Sequence, residues 1–563
     1  MHWVVLLLIV GPAAIGQDFT PDKQRMLKKG ALYDGEYDIR GKARYADSFL
    51  PGSTGERERR IPEFVEPIEY FIQIQPYFEN DKIAIPEGRA NMTFDGRCTF
   101  IFRVKQQTRN VTLHSLLLIY ERVTLMDEEG ETLITNASYS FNETLNHIII
   151  DTEDHLTVGK TYMLQFVYTG EIHDYLDTGL YYTSYDDTDG NSHFMLATHL
   201  QPARARWVFP CLDEPAYKAV FHITLIYPKG LIALANAMER TPVSMKPPLG
   251  DWEVIQFPPS LKMSTYLVAF AIGPYVKAET INEDGILVRS WGWTGQEEYL
   301  EFAVNVSAKC LHTMGNYLNY TYPYIKSDQI GLPEFVAGAM ENFGLIVYKY
   351  QYVAIHPKIS TTEAKQAAAK VICHELAHQW FGNTVTAAWW DDLFLNEGFA
   401  SFFERFNMKL AIPSQKPYIE TKWYAQRVQP SLVFDADLSK SHPLYAYNGP
   451  EFDTITYGKG ASVLRMIYSV LGEEAFQSAL QDYIKEYQFS NAVHQNLFDK
   501  FTACNTNFLI FAAITYGKGA SVLRMIYSVL GEEAFQSALQ DYIKEYQFSS
   551  AVHQNLFDKF IAV

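Results

Sequence analysis

Cysteine is scarce and scattered. The five residues, Cys98, Cys211, Cys310, Cys373 and Cys504, are odd in number and widely spread. No zinc-finger spacing joins them, and they do not form the framework of a disulfide-stapled scaffold. Positive charge is also in deficit: 47 Lys and Arg face 65 Asp and Glu, a formal charge of −18. A phosphate-binding surface needs the opposite balance, so nucleic acid is excluded as a partner. Long apolar runs are missing too, and no stretch reaches the roughly 20 residues of a membrane-spanning helix. The run from Trp3 to Val10 is broken by Gly11-Pro12 and followed by small residues. It has the length of a signal-peptide core, although the basic flank is lacking, and residues 1–16 are read as a signal peptide.

What is present is core-forming material. Hydrophobic residues make up 48% and aromatics 15% of 563 residues, enough for two or three domains with large interiors. Six N-x-[ST] tripeptides start at Asn91, Asn110, Asn136, Asn142, Asn305 and Asn319. Together with the signal-like start they predict an extracellular glycoprotein, secreted or at the cell surface, with membrane attachment possible. After a linker over 17–60, the segments "YFIQIQPYF", "RCTFIFRV", "NHIIIDT", "YMLQFVYTG" and "FHITLIYP" alternate or run apolar between Gly, Pro and Asn breaks. This predicts a large antiparallel β domain over 61–272.

From about Ser360 the texture turns helical. Ser360-Thr-Thr-Glu363 reads as a capping box with Ser360 at the N-cap. An Ala-rich run carries the helix to Trp380, and Gly382-Asn383 stops it. A second helix is expected from about Leu395-Asn396. Residues 455–501 recur at 514–560 with one difference, Asn491 against Ser550. Two near-identical copies are unlike a diverged solenoid. They point to a recent exon duplication or an error in assembling the gene, with 502–513 as the joining piece, and only one copy is expected to occupy its structural niche.

Within the first helix, "VICHELAHQWFGN" places His374 and His378 one turn apart on a single face, where both imidazoles can reach one ion. Glu375 is rotated by about 100° and can sit beside that ion without binding it. Cys373 adjoins His374, but neighbours on a helix diverge by the same angle, so it reads as a buried bystander. Glu397 opens the next helix, and two antiparallel helices could bring it to the ion as a third ligand. Two imidazoles, one carboxylate and one open position make a hydrolytic zinc site, in which Glu375 takes the proton of an attacking water.

"HELAHQWFGN" with "LNEGFA", "GAMENFG" (338–344), "LQPARARWVFPCLDEP" (200–215) and "ITYGKGASVLRM" resemble the zinc aminopeptidases of the aminopeptidase N type. The resemblance runs from about Arg60 to Phe501. It implies a multidomain α+β fold, in which the β-rich N-terminal domain precedes a thermolysin-like, mostly helical catalytic domain over 273–501. It further implies one Zn²⁺ held by His374, His378 and Glu397, with Glu375 as general base. Tyr457 would donate a hydrogen bond to the oxyanion. Glu341 and Gln201 would bind the free N-terminus of a peptide substrate, and the backbone at Gly338 and Ala339 would lie along that substrate as an edge strand. His199 stands where the family usually has Gln. The family's long forms continue into further domains that this sequence does not include, which leaves a second reading: a truncated, catalytically impaired member acting as a binding glycoprotein.

Overall fold

A computed structural model describes residues 60–504 except 177, 247–250, 438 and 446–451, together with 526–527, 530–547 and 553–562. The expected signal peptide, almost all of the linker and most of 502–513 fall outside the described residues. So does Tyr516, the second-copy counterpart of Tyr457.

Each strand expected from the sequence forms. Eight strands make one sheet in the order 243–244, 252–256, 220–228, 65–77, 93–104, 161–171, 119–126, 132–134. One neighbouring pair departs from the expected antiparallel pattern: Val65–Tyr77 and Val220–Pro228 run parallel. Aromatic side chains fix the register. Tyr70 lies opposite both Phe100 and Phe221, and its ring stacks on theirs at 4.8 and 5.2 Å. All three are fully buried. Such cross-strand pairs stabilise a sheet by about 0.2–1 kcal/mol each beyond burial.

The Tyr70 hydroxyl accepts a hydrogen bond from the Leu212 amide at 3.1 Å. It thereby ties the sheet to the loop "LQPARARWVFPCLDEP". That loop is rigid for a reason visible in its own letters. The buried Arg206 donates to Asp213 at 2.9 Å and to the Asp213 carbonyl at 3.0 Å, while Thr265 donates to the other carboxylate oxygen of Asp213 at 2.8 Å. Burying that charge pair is tolerable because its hydrogen bonds are made. The consequence is a fixed position for Gln201.

A second, mixed sheet has the order 275–281, 287–293, 326–332, 345–349, 339–340, so Ala339–Met340 is its edge strand. Helix α1 (Glu301–Leu318) precedes the helical region expected from Ser360. Helices α2 (Thr362–His378) and α3 (Phe394–Ala411) follow. The N-cap of α2 is Thr361, which accepts from the Ala364 amide at 3.1 Å. Ser360 instead accepts from the His356 amide, one residue off the expected cap. Cys373 of α2 is buried as expected but is bonded to Cys310 of α1, so it is not a bystander. No helix among the described residues is long and apolar enough to cross a membrane.

The chain divides into two compact units, 1–465 with 484–494 and 466–483 with 495–563. Where it is described, the second copy repeats the local structure of the first. Helix Glu473–Tyr487 recurs as Glu532–Tyr546. The Phe476–Phe501 ring stack at 5.4 Å recurs as Phe535–Phe560 at 5.1 Å. Packing recurs only in part: Ile484 is fully buried, whereas its counterpart Ile543 is 63% exposed. The one differing position has structural weight in the first copy, where the Asn491 amide donates to the carbonyls of Pro215 and Ala387 at 3.0 and 3.2 Å.

Candidate metal centre

Helices α2 and α3 pack together, and their facing ends bring three ligand-type atoms to one point. The Nε2 atoms of His374 and His378 are 3.2 Å apart. Glu397 Oε2 lies 3.4 Å from the first and 3.2 Å from the second. A tetrahedral zinc ion with bonds of about 2.0–2.1 Å requires ligand atoms about 3.3 Å from one another. The triangle therefore matches one face of that coordination shell. Glu397 Oε2 is buried with no aligned hydrogen-bond donor, which a cation would satisfy. The residues present fit zinc.

The return from α2 to α3 is shaped to hold this face. Gly382 has φ of 129°, and a Cβ there would come within 3.1 Å of His378 Nδ1. Both the conformation and the space call for glycine. His378 Nδ1 faces the Phe381 carbonyl at 3.0 Å, which sets the ring so that Nε2 points to the ligand cluster. Lys218, fully buried, donates to the carbonyls of Asn383 and Thr384 at 3.0 and 3.3 Å and clamps the turn. On the other ring, His374 Nδ1 faces Glu404 Oε2 at 3.3 Å. Glu404 in turn accepts from Arg427 at 2.6 Å and Arg405 at 3.1 Å. Sequence reading missed Glu404. The signal was available in its spacing, since it stands seven residues after Glu397 and thus two turns along the same face of α3.

Gln201, in the loop after strand Ser192–His199, and Glu341, just past the edge strand Ala339–Met340, meet here. Gln201 Nε2 donates to Glu341 Oε1 at 3.4 Å. Ligand-type atoms of Glu341, Glu375 and His378 lie within 4.8 Å of one another. The Glu341 carbonyl accepts from Gln379 at 2.9 Å and from Asn383 at 2.8 Å. These two amides of "HQWFGN", also missed, anchor "GAMEN" to the end of α2. Gly338 and Ala339 follow at the sheet edge. The Gly338 carbonyl accepts from the Lys349 amide, and Ala339 pairs with Tyr348.

Tyr457 reaches the site through a close helix crossing. It sits in a π-helical turn, Ile455–Lys459, started by Asp453, whose carboxylate accepts from the amides of Ile455 and Thr456. A Cβ on Gly398 would lie 3.2 Å from the Gly460 Cα. Only glycines let these backbones approach so closely, and the approach lays the Tyr457 ring parallel to that of His374 at 6.1 Å. The structure thus brings Gln201, Glu341, His374, Glu375, His378, Glu397 and Tyr457 together. His199 is buried next to Gln201, its ring 4.9 Å from that of Phe335. Burial and the nearby Arg204 hold it down to about 4, so it is neutral at pH 7.

The electrostatics are those of a site short of positive charge. Burial pushes the Glu375 carboxyl up to about 8. Burial also opposes ionisation of Glu397, but the charges and hydrogen bonds of His378 and His374 together outweigh it and hold the carboxyl down at about 2. For the imidazoles burial works the other way and is again outweighed. Glu397 and Glu404 raise His374 to about 9, and Glu397 and Glu341 raise His378 to about 10. The Tyr457 phenol is raised well above its ordinary value by burial and by Glu397, Glu341 and Glu375, so it remains a donor. Protons on two rings here balance carboxylates that a dication would balance better, and binding such an ion must release them.

Residues 66–267 match the Peptidase M1 N-terminal domain, and residues 302–510 match the Peptidase family M1 domain. Residues 505–562 match the latter a second time, as the repeat requires. The chain is 44% identical over 466 residues to the Caenorhabditis elegans protein named "Putative aminopeptidase-2", covering 81% of this chain and 24% of that one. It is 36% identical over 457 residues to human aminopeptidase N, covering 78% and 46%. A Caenorhabditis elegans puromycin-sensitive aminopeptidase is 34% identical over 455 residues, covering 79% and 46%. The chain spans half or less of the length of these relatives.

Proposed function

This chain belongs to peptidase family M1, and on that premise we propose that its centre removes N-terminal residues from peptides with the aid of one zinc ion. The observation that carries the reading is the cluster in which Glu341 and Glu375 stand within 4.8 Å of a ligand atom of His378, beside the His374–His378–Glu397 face.

His374, His378 and Glu397 would hold the ion. When bound, zinc supplies Lewis acidity, which brings water ionisation into the neutral range and polarises a carbonyl. Glu375 is the general base: a dication beside it would favour the ionised form against the effect of burial, and its carboxylate accepts the proton of water and returns it to the leaving amine. The Tyr457 hydroxyl donates to charge developing on the carbonyl oxygen, a contribution of about 3–4 kcal/mol when such donors are preorganised. Glu341, with Gln201 against it, pairs with the free α-ammonium. That pairing makes the enzyme an exopeptidase. Gly338 and Ala339, on the edge strand, offer main-chain groups to an extended peptide. The neutral His199 shapes the pocket beside Gln201. The exposed asparagines of five of the six tripeptides, Asn142 being half-buried, support an extracellular setting.

An aminoacyl reporter tests the reading. Turnover should stop on chelation and return with zinc, and N-acetylation of the substrate should lower kcat/KM at least about 100-fold. The blocked amine leaves a buried carboxylate unpaired, at about 3 kcal/mol. The same loss is expected in Glu341→Gln with the free amine. Turnover indifferent to chelator, or equal cleavage of the blocked peptide, rejects it.

A further inference from the structure

The turn that closes helix α2 is held from outside the helical region. Its three successive carbonyls, of Gly382, Asn383 and Thr384, all accept hydrogen bonds from residues of the β-rich domain. Lys218 serves the last two. The Gly382 carbonyl accepts from the Tyr266 hydroxyl at 3.0 Å and from Thr386 at 2.6 Å. Tyr266 is buried and lies in the single helical turn Thr265–Leu267. Its hydroxyl also accepts from Asn396 Nδ2 at 3.4 Å. Asn396 immediately precedes Glu397, and its Oδ1 accepts from the Ala387 amide at 3.2 Å. At the other end of the residue, the Tyr266 carbonyl accepts from Asn342 Nδ2 at 3.4 Å, next to Glu341. The ring stands edge-on to Trp390, with centroids 5.2 Å apart. Burial and the charges of Glu341 and Glu397 raise the phenol well above its ordinary value, so it stays a donor.

One buried side chain thus joins the turn behind His378 to the residue that precedes Glu397. Without the hydroxyl, Asn396 Nδ2 loses its acceptor and the Gly382 carbonyl is left to Thr386 alone. A buried donor without an acceptor is costly, so the surrounding backbone shifts to recover a partner. A shift there moves the Phe381 carbonyl that faces His378 Nδ1 at 3.0 Å, and with it the start of α3 that carries Glu397. Zinc tolerates little such displacement, because its ligand atoms must share one tetrahedral face. We propose that Tyr266 is a positioning residue of the metal centre, with Lys218 as its companion on the same turn. Through these two residues the β-rich domain sets zinc affinity. The inference rests on the reading of His374, His378 and Glu397 as zinc ligands. Tyr266 makes no hydrogen bond to any of the three; it acts through the groups that orient them.

Tyr266→Phe in the full chain keeps the ring on Trp390 and removes only the hydroxyl. Tyr168→Phe is the control, since its hydroxyl is also buried and donates to a carbonyl, that of Val208 at 2.9 Å, but bonds none of the groups that hold the turn. Melts of the zinc-free proteins verify folding. Competition with a chromophoric chelator should show the zinc dissociation constant raised roughly tenfold in Tyr266→Phe and unchanged in Tyr168→Phe. Cobalt(II) in place of zinc reports ligand geometry in its visible absorption, and that spectrum should change in Tyr266→Phe alone. If Tyr266→Phe does not fold, Lys218→Met decides on the same two readouts. Zinc affinity and cobalt spectrum unchanged in the deciding variant, or zinc affinity weakened equally in Tyr168→Phe, overturns the proposal. An unmodified chain that takes up no zinc would overturn both the proposal and the reading of the centre beneath it. None of these readouts depends on peptidase activity.

Discussion

Glu404→Gln isolates the least obvious part of the metal site. Gln keeps the shape of the side chain but removes the charge that faces His374 Nδ1 at 3.3 Å and that binds Arg427 and Arg405. Two effects follow. His374 loses the carboxylate that raises the basicity of its ring, and outer partners of this kind are worth about 10–100-fold in metal affinity. That is about 1.4–2.7 kcal/mol. The second effect is on folding. Glu404 is buried and its carboxyl is held well below the ordinary range: burial opposes ionisation, but Arg427 and His374 outweigh it. Its removal leaves the buried Arg405 without a counter-charge, and breaking such a pair costs about 3–5 kcal/mol. Competition with a chromophoric chelator measures the zinc dissociation constant, and denaturant melts with and without zinc separate the two effects. Zinc affinity equal to that of the unmodified protein would refute the assignment of Glu404 as the group that orients His374.

Tyr457→Phe is expected to lower kcat by about 100- to 1000-fold with little change in KM, because the lost donor acts on charge present only in the transition state; steady-state kinetics decide it, and a comparable loss in Tyr516→Phe with none in Tyr457→Phe would reverse the choice of tyrosine. Gly382→Ala should destabilise the chain by about 1–3 kcal/mol in denaturant melts, since alanine rarely adopts φ of 129° and its methyl would press on His378; an unchanged midpoint would contradict the tight turn.

Much of this site was legible because its chemistry is local. Two histidines at a helical spacing, with a carboxylate opening the next helix, need only helix geometry to converge. The strands from Val65 to Pro228 were legible from their alternation, and the duplication from simple identity. What escaped depends on contacts remote in sequence. Glu404 gains its meaning from Arg427, 23 residues away. Gln379 and Asn383 gain theirs from a carbonyl about 40 residues earlier. The partner of Cys373 lies 63 residues upstream. The parallel pair in the large sheet was hidden because both strands, buried among aromatics, read alike in either direction. The cap of α2 shifted from Ser360 to Thr361 because two adjacent hydroxyls offer the same signal.

The central claim is that two imidazoles and one carboxylate converge on a single cation. X-ray absorption at the zinc edge, on protein loaded with one equivalent, tests it most directly. The expected result is two imidazole nitrogens and oxygen ligands at about 2.0–2.1 Å, with one imidazole lost in His378→Ala. A spectrum without imidazole scattering, or one identical in that variant, would contradict it.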